Sequence, residues 1–165
     1  RMSNVVGDSM LQTYHGGDRV FLSRLPYIFG EPEKGDVIVF DSTKEEKDFF
    51  ANFGESVKFN LITQLFMKQD QLASMQHKYY IKRVIGTEGD VVSIKDGCLY
   101  INDELIENEE YVNPAEKADY SRWEGQSWIV GSGCVFVMGD NRNHSTDSRA
   151  IGVIPEGCIL GKVVD

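Results

Sequence analysis

The strongest constraint on this chain is the way short β-branched runs alternate with tight turn residues. Runs at 79–85, 91–94, 99–101, 135–138 and 159–164 are dense in Val, Ile, Tyr and Phe and shorter than a stable helix needs. Asp96-Gly97 is a two-residue hairpin turn, and Asn102-Asp103 is another. Upstream, Gly16-Gly17-Asp18 turns the chain into Arg19-Val20-Phe21-Leu22. Pro26 and the stretch 30–35 then separate that run from Asp36-Val37-Ile38-Val39-Phe40. Such punctuation predicts a mostly β fold built on antiparallel sheet.

Two stretches break the pattern. Over 43–78, Glu45, Glu46 and Lys47 lead into Phe49, Phe50 and Phe53, with Gly54 as a helix stop. Beyond it Val57, Leu61 and Leu65 recur at i+4, with Ile62 and Phe66 on the adjoining row. A helical insertion is expected there, its apolar stripe covering the domain's own sheet. The stretch 107–128 is polar and punctuated, and reads as a loop excursion. No repeat is visible, and 165 residues, 41% hydrophobic, fit one domain over 1–165 with a sizeable core.

A formal charge of −9, with no basic stripe, makes nucleic acid an unsuitable partner. Cys98, Cys134 and Cys158 form no CxxC pair, so no metal site is expected and the thiols read as small buried hydrophobes. No apolar run approaches the ~20 residues that span a bilayer. The chain opens Arg1-Met2 and reaches Ser9 within a few positions, which leaves no room for a targeting segment.

Three segments place reactive groups in unusual settings. In Gly7-Asp8-Ser9-Met10-Leu11-Gln12-Thr13 a serine sits among turn formers, where a lone serine is ordinarily a cap or turn hydroxyl. In Tyr79-Tyr80-Ile81-Lys82-Arg83-Val84-Ile85-Gly86, strand alternation puts Tyr80, Lys82 and Val84 on one face and Ile81, Arg83 and Ile85 on the other. A strand lysine ordinarily snorkels to water. In the third, Val135-Phe136-Val137-Met138 delivers Gly139-Asp140-Asn141-Arg142-Asn143-His144-Ser145-Thr146-Asp147-Ser148-Arg149 into a loop, as scaffolded sites do. A Ser9-His144-Asp147 triad is the rival constellation these segments offer.

Together the segments resemble the boxes of the type I signal peptidase family. Ser9-Met10 is similar to its nucleophile box, Lys82-Arg83-Val84-Ile85-Gly86 to its general-base box, and the stretch from Gly139 to Arg149 to its most distinctive signature. Lys34-Gly35-Asp36-Val37-Ile38-Val39-Phe40 resembles the intervening strand box. The resemblance implies a barrel-like antiparallel fold and a Ser-Lys dyad without cofactor, in which Ser9 attacks and Lys82 takes its proton. It further implies that Ser145 orients the Lys82 amine and that Asp147 pairs with Arg149. Met10 and Ile81 would border shallow pockets for small substrate residues, and the strand from Tyr79 to Ile81 would pair with the extended substrate. The implied partners are precursors bearing signal peptides, and membrane lipid reached through an N-terminal anchor. The catalytic domain would then lie on the extracytoplasmic face of the cell membrane.

The chain departs from the family where Gln12 replaces a proline and where Thr87-Glu88-Gly89-Asp90 replaces a Leu-Pro-Gly-Asp-like turn. The insertion resembles that of Gram-positive members linked to pilus assembly, which suggests pilins as precursors. It also raises the alternative of a low-activity homologue that acts as a chaperone-like assembly factor.

Overall fold

Antiparallel pairing organises the chain into two sheets. The computed structural model describes residues 2–42, 79–107, 111–112 and 117–164, so the helical insertion expected over 43–78 lies outside the described residues. The strands are β1 (Met2–Asn4), β2 (Arg19–Ser23), β3 (Val37–Asp41), β4 (Tyr79–Gly86), β5 (Val91–Lys95), β6 (Cys98–Ile101), β7 (Glu104–Leu105), β8 (Ser127–Ile129), β9 (Cys134–Met138), β10 (Ile154–Pro155) and β11 (Ile159–Val164). Among the described residues two short helices, α1 (Pro26–Phe29) and α2 (Ser148–Ile151), accompany them. The larger sheet has the order β1-β2-β11-β3-β4-β9-β10, the smaller β7-β6-β5-β8.

Both hairpin signals produce hairpins. Asp96 and Gly97 have φ of 51° and 68°, Asn102 and Asp103 of 53° and 64°, the paired positive values of a two-residue turn whose twist matches its strands. The barrel-like closure expected from the family resemblance does not form. Among the described residues the larger sheet runs from β1 to β10 without joining them, and both edge strands are too short to recruit a further partner. Part of the excursion is also structured: a 3₁₀ turn at Ser121–Trp123 precedes β8, which pairs with β5 through Val92 and Trp128. Its three residues are too few for alternation to be read from sequence, and Trp128 against Phe136, ring centroids 5.2 Å apart, holds it in place.

β4 connects the two sheets. From Tyr79 to Arg83 it pairs with β3, whereas its pairing with β9 begins only at Arg83 and ends at Gly86. Among the described residues the first half of β4 therefore has one open edge. The last half passes under the smaller sheet, where a Cβ at Gly86 would sit 3.0 Å from Val92 Cγ2 and 3.3 Å from Val130 Cγ2. One apolar cluster gathers Ile38, Phe40, Val84 and Val137, a second Val5, Met10, Val20 and Val39, and a third Val92, Ile94, Phe136 and Met138 beneath the smaller sheet.

Candidate active site

The loop carrying Ser9 leaves β1 through the pair Val5 N–H to Asp18 O and Gly17 N–H to Val5 O, at 2.8 and 2.9 Å. It then coils tightly, Leu11 N–H donating to Asp8 O and both Thr13 and Tyr14 N–H to Met10 O. Met10 is wholly buried among Val5, Val20, Val37, Val39 and Val163. The expectation that it borders an open pocket is thus corrected, because its long apolar side chain has a better place in the core beneath the loop. Ile81, half-buried at the margin of the same cluster, stays near the surface. Gln12 is the third residue of the turn closed from Thr13 to Met10 and has φ 104°, the positive-φ position of a type II turn. A proline ring cannot adopt that angle, so the loss of proline here goes with a different local backbone.

Ser9 and Lys82, far apart in sequence, meet. Lys82 Nζ lies 2.6 Å from Ser9 Oγ and 2.9 Å from Ile81 O, and its side chain is 2% exposed. The Tyr80 ring, on the same strand face, has its centroid 5.3 Å from Nζ. Burial pulls the lysine down to about 8, partly opposed by the charges of Asp147 and Asp140. Near that value an appreciable fraction is uncharged at neutral pH, and a neutral amine at this distance can accept the hydroxyl proton.

The loop after β9 supports this pair. Asn141 N–H donates to Ser9 O at 3.0 Å and its side-chain amide to Asp8 O at 2.9 Å. Gly139 N–H donates to Asp147 Oδ2 at 2.9 Å, and a Cβ at Gly139 would overlap the Ser9 carbonyl oxygen and the Ser145 hydroxyl. Asp147 caps α2 and takes a two-pronged ion pair from Arg149, Nε to Oδ1 and Nη2 to Oδ2 both at 2.8 Å, with both side chains fully buried. Ser145 corrects the expectation placed on it. Its hydroxyl is buried beside Gly139 yet has no hydrogen-bond partner among the described residues, because the Lys82 amine turns to Ser9 and the Ile81 carbonyl instead.

A second buried ion pair escaped sequence reading. Arg83 donates from Nε and Nη2 to Asp140 at 2.9 and 2.7 Å and from Nη1 to Gly35 O at 2.7 Å, while Thr13 donates to the same carboxylate at 2.5 Å. Strand alternation put Arg83 opposite Lys82, and from that face it ties the serine loop to the loop after β9. Its signal was the unlikelihood of a buried arginine without a carboxylate. His144 is exposed at the end of the 3₁₀ turn Arg142–His144, and the partner of Ser9 is Lys82. Cys158 is buried, Cys98 and Cys134 are half-buried, and no disulfide joins them.

The family model for signal peptidase, peptidase S26, matches residues 1–164. The chain is 30% identical over 161 residues to thylakoidal processing peptidase 1 of Arabidopsis thaliana, covering 98% of this chain and 40% of that protein. It is 30% identical over 168 residues to signal peptidase I of Bacillus caldolyticus, covering 96% of this chain and 74% of that one. A crystal structure of a signal peptidase I from Enterococcus faecalis superposes with a TM-score of 0.50 at 25% identity, over 81% of this chain and 97% of that chain. The chain spans well under half the length of the plant relatives and 65% of a cyanobacterial one.

Proposed function

This chain belongs to the signal peptidase family, peptidase S26, and from that premise we propose that it is a membrane-associated serine endopeptidase that removes signal peptides from exported precursors. The observation that carries the reading is the 2.6 Å approach of Ser9 Oγ to an amine that is 2% exposed. Neutral Lys82 takes the Ser9 proton as the oxygen attacks the scissile carbonyl, and the resulting ammonium returns that proton to the departing amine. Water, deprotonated by the same lysine, then releases the acyl group. The Ser9 backbone N–H stabilises the oxyanion. The substrate lies extended along the open edge of β4, Tyr79 to Ile81, as an added strand, with Ile81 bordering the pocket for a small residue. Asp147 and Arg149 hold the loop that meets Ser9.

The natural setting is the extracytoplasmic face of a cell membrane, and pilin precursors are the first substrates to try. Cleavage of a signal-peptide substrate in detergent or lipid tests the reading: Ser9→Ala and Lys82→Met should each lose at least about a thousandfold in kcat/KM, while His144→Ala stays within a fewfold of the parent. An inactive parent whose Ser9→Ala variant still supports pilus assembly in cells would replace this reading with the chaperone-like one.

A further inference from the structure

Among the described residues, Arg83, Arg142 and Arg149 are buried around the catalytic loops. Asp140 and Asp147 are the carboxylates that pair with two of them. Arg142 donates from Nε to Gly139 O at 3.0 Å and from Nη1 to the Tyr120 hydroxyl at 2.9 Å. Arg149 Nη1 is buried without a hydrogen-bond acceptor, yet its guanidinium lies 4.5 Å from the Trp123 ring centroid and 5.8 Å from that of Tyr120. Arg83 lies 3.5 Å from the Tyr111 ring centroid. Every buried arginine is thus met by an aromatic residue from one stretch of chain. That stretch also grips the catalytic loop at its rim, through Asp119 N–H to Asn143 Oδ1 at 2.8 Å and the Asn143 amide to Lys117 O at 3.2 Å.

We propose that Tyr111, Tyr120 and Trp123 are positioning residues for the Ser9–Lys82 reaction, closing the buried arginines against water and thereby keeping the lysine dry. The inference rests on the protease reading above. The Tyr111 and Trp123 faces offer a cation attraction without supplying a competing acceptor, and the Tyr120 hydroxyl accepts one Arg142 donor, so each guanidinium stays aimed at the group it holds. Arg83 aims at Asp140, Arg142 at the Gly139 carbonyl, and Arg149 at Asp147. Those groups fix residues 139–141, of which Asn141 holds the Ser9 loop through its backbone and side-chain amides. Removing an aromatic face admits water to the ion pairs, and hydration reaches Lys82 through the carboxylates next to it. The groups facing the amine are Ser9, the Tyr80 ring, the Ile81 carbonyl and the charges of Asp140 and Asp147. With these unchanged, a wetter site raises the lysine's affinity for its proton.

The test titrates the Lys82 amine by NMR in lysine-labelled protein and measures the pH profile of kcat/KM. Tyr111→Leu and Trp123→Leu should each move both midpoints up by about one unit, with roughly a tenfold loss of kcat/KM near neutrality. Trp123→Phe should restore most of the loss, and Tyr120→Phe, which deletes only a hydroxyl, should give a smaller shift of the same sign. Folded Tyr111→Leu and Trp123→Leu proteins with the parent titration would overturn the proposal. Should Trp123→Leu not fold, Tyr111→Leu and Tyr120→Phe decide by the same criterion. A parent that fails to cleave would remove the protease reading, whereas the titration would still decide whether the aromatics keep Lys82 dry.

Discussion

Holding Lys82 beside Ser9 almost without water costs stability, and the cost depends on pH. A lysine lowered from 10.5 to about 8 by burial disfavours its charged form by about 3 kcal/mol in the folded protein. Between those two values the unfolded chain binds more protons than the folded one, so stability rises with pH across that window. Lys82→Met should therefore abolish cleavage and, below pH 8, stabilise the fold by up to about 3 kcal/mol, with the gain gone above pH 10.5. Urea unfolding at both ends of the window measures this, and a variant equally destabilised at each would contradict it. Cleavage itself should rise with pH toward a midpoint near 8 as the amine loses its proton. Gln12, at φ 104°, offers a backbone test. Gln12→Gly should stabilise by about 1 kcal/mol, and Gln12→Pro, which restores the family residue, should destabilise by more because its ring cannot reach that angle. Thermal melts rank the three. Ser9 and Lys82 were singled out because their segments resemble the family's boxes, since a lone serine or strand lysine carries no such signal. The burial of Met10, the solitary Ser145 hydroxyl and the Arg83–Asp140–Thr13 contact were not legible, since each depends on which distant segments come to lie together.

At the level of elements, β4 does two jobs with one strand. Its first half offers Lys82 and an edge that is open among the described residues, and its second half packs under the smaller sheet at Gly86. Gly86→Ala would press a methyl group against Val92 and Val130 and should cost about 1–3 kcal/mol while leaving the Ser9–Lys82 approach intact. Unfolding and cleavage measured on the same preparation separate the two effects. Strands with alternation and hairpin turns were readable, β5 and β6 above all, because Asp96-Gly97 encodes its turn locally. β1, β8 and β10, of two or three residues each, have no period to detect and exist only through their neighbours.

Taken whole, the described residues expose apolar side chains on β1, β2 and around α1: Met2 and Phe21 are cross-strand partners, Leu25 precedes α1, and Ile28 and Phe29 lie on it, with Phe29 91% exposed. On the membrane-associated reading proposed above, a formal charge of −9 means that attachment through these residues should favour zwitterionic over anionic vesicles, and added salt should narrow the difference. Flotation with phosphatidylcholine and phosphatidylglycerol vesicles checks this, and a Phe29→Asp variant should float less. Sheet order was beyond sequence reading, since β11 returns from the far end of the chain to lie between β2 and β3. On the protease reading proposed above, the edge of β4 that is open among the described residues bears on which precursors are accepted. A polypeptide can join that strand only when fully stretched, so a precursor coiled up to its cut point must first unwind there, and processing would sort its clients by local shape as well as by the size of the residues at the cut.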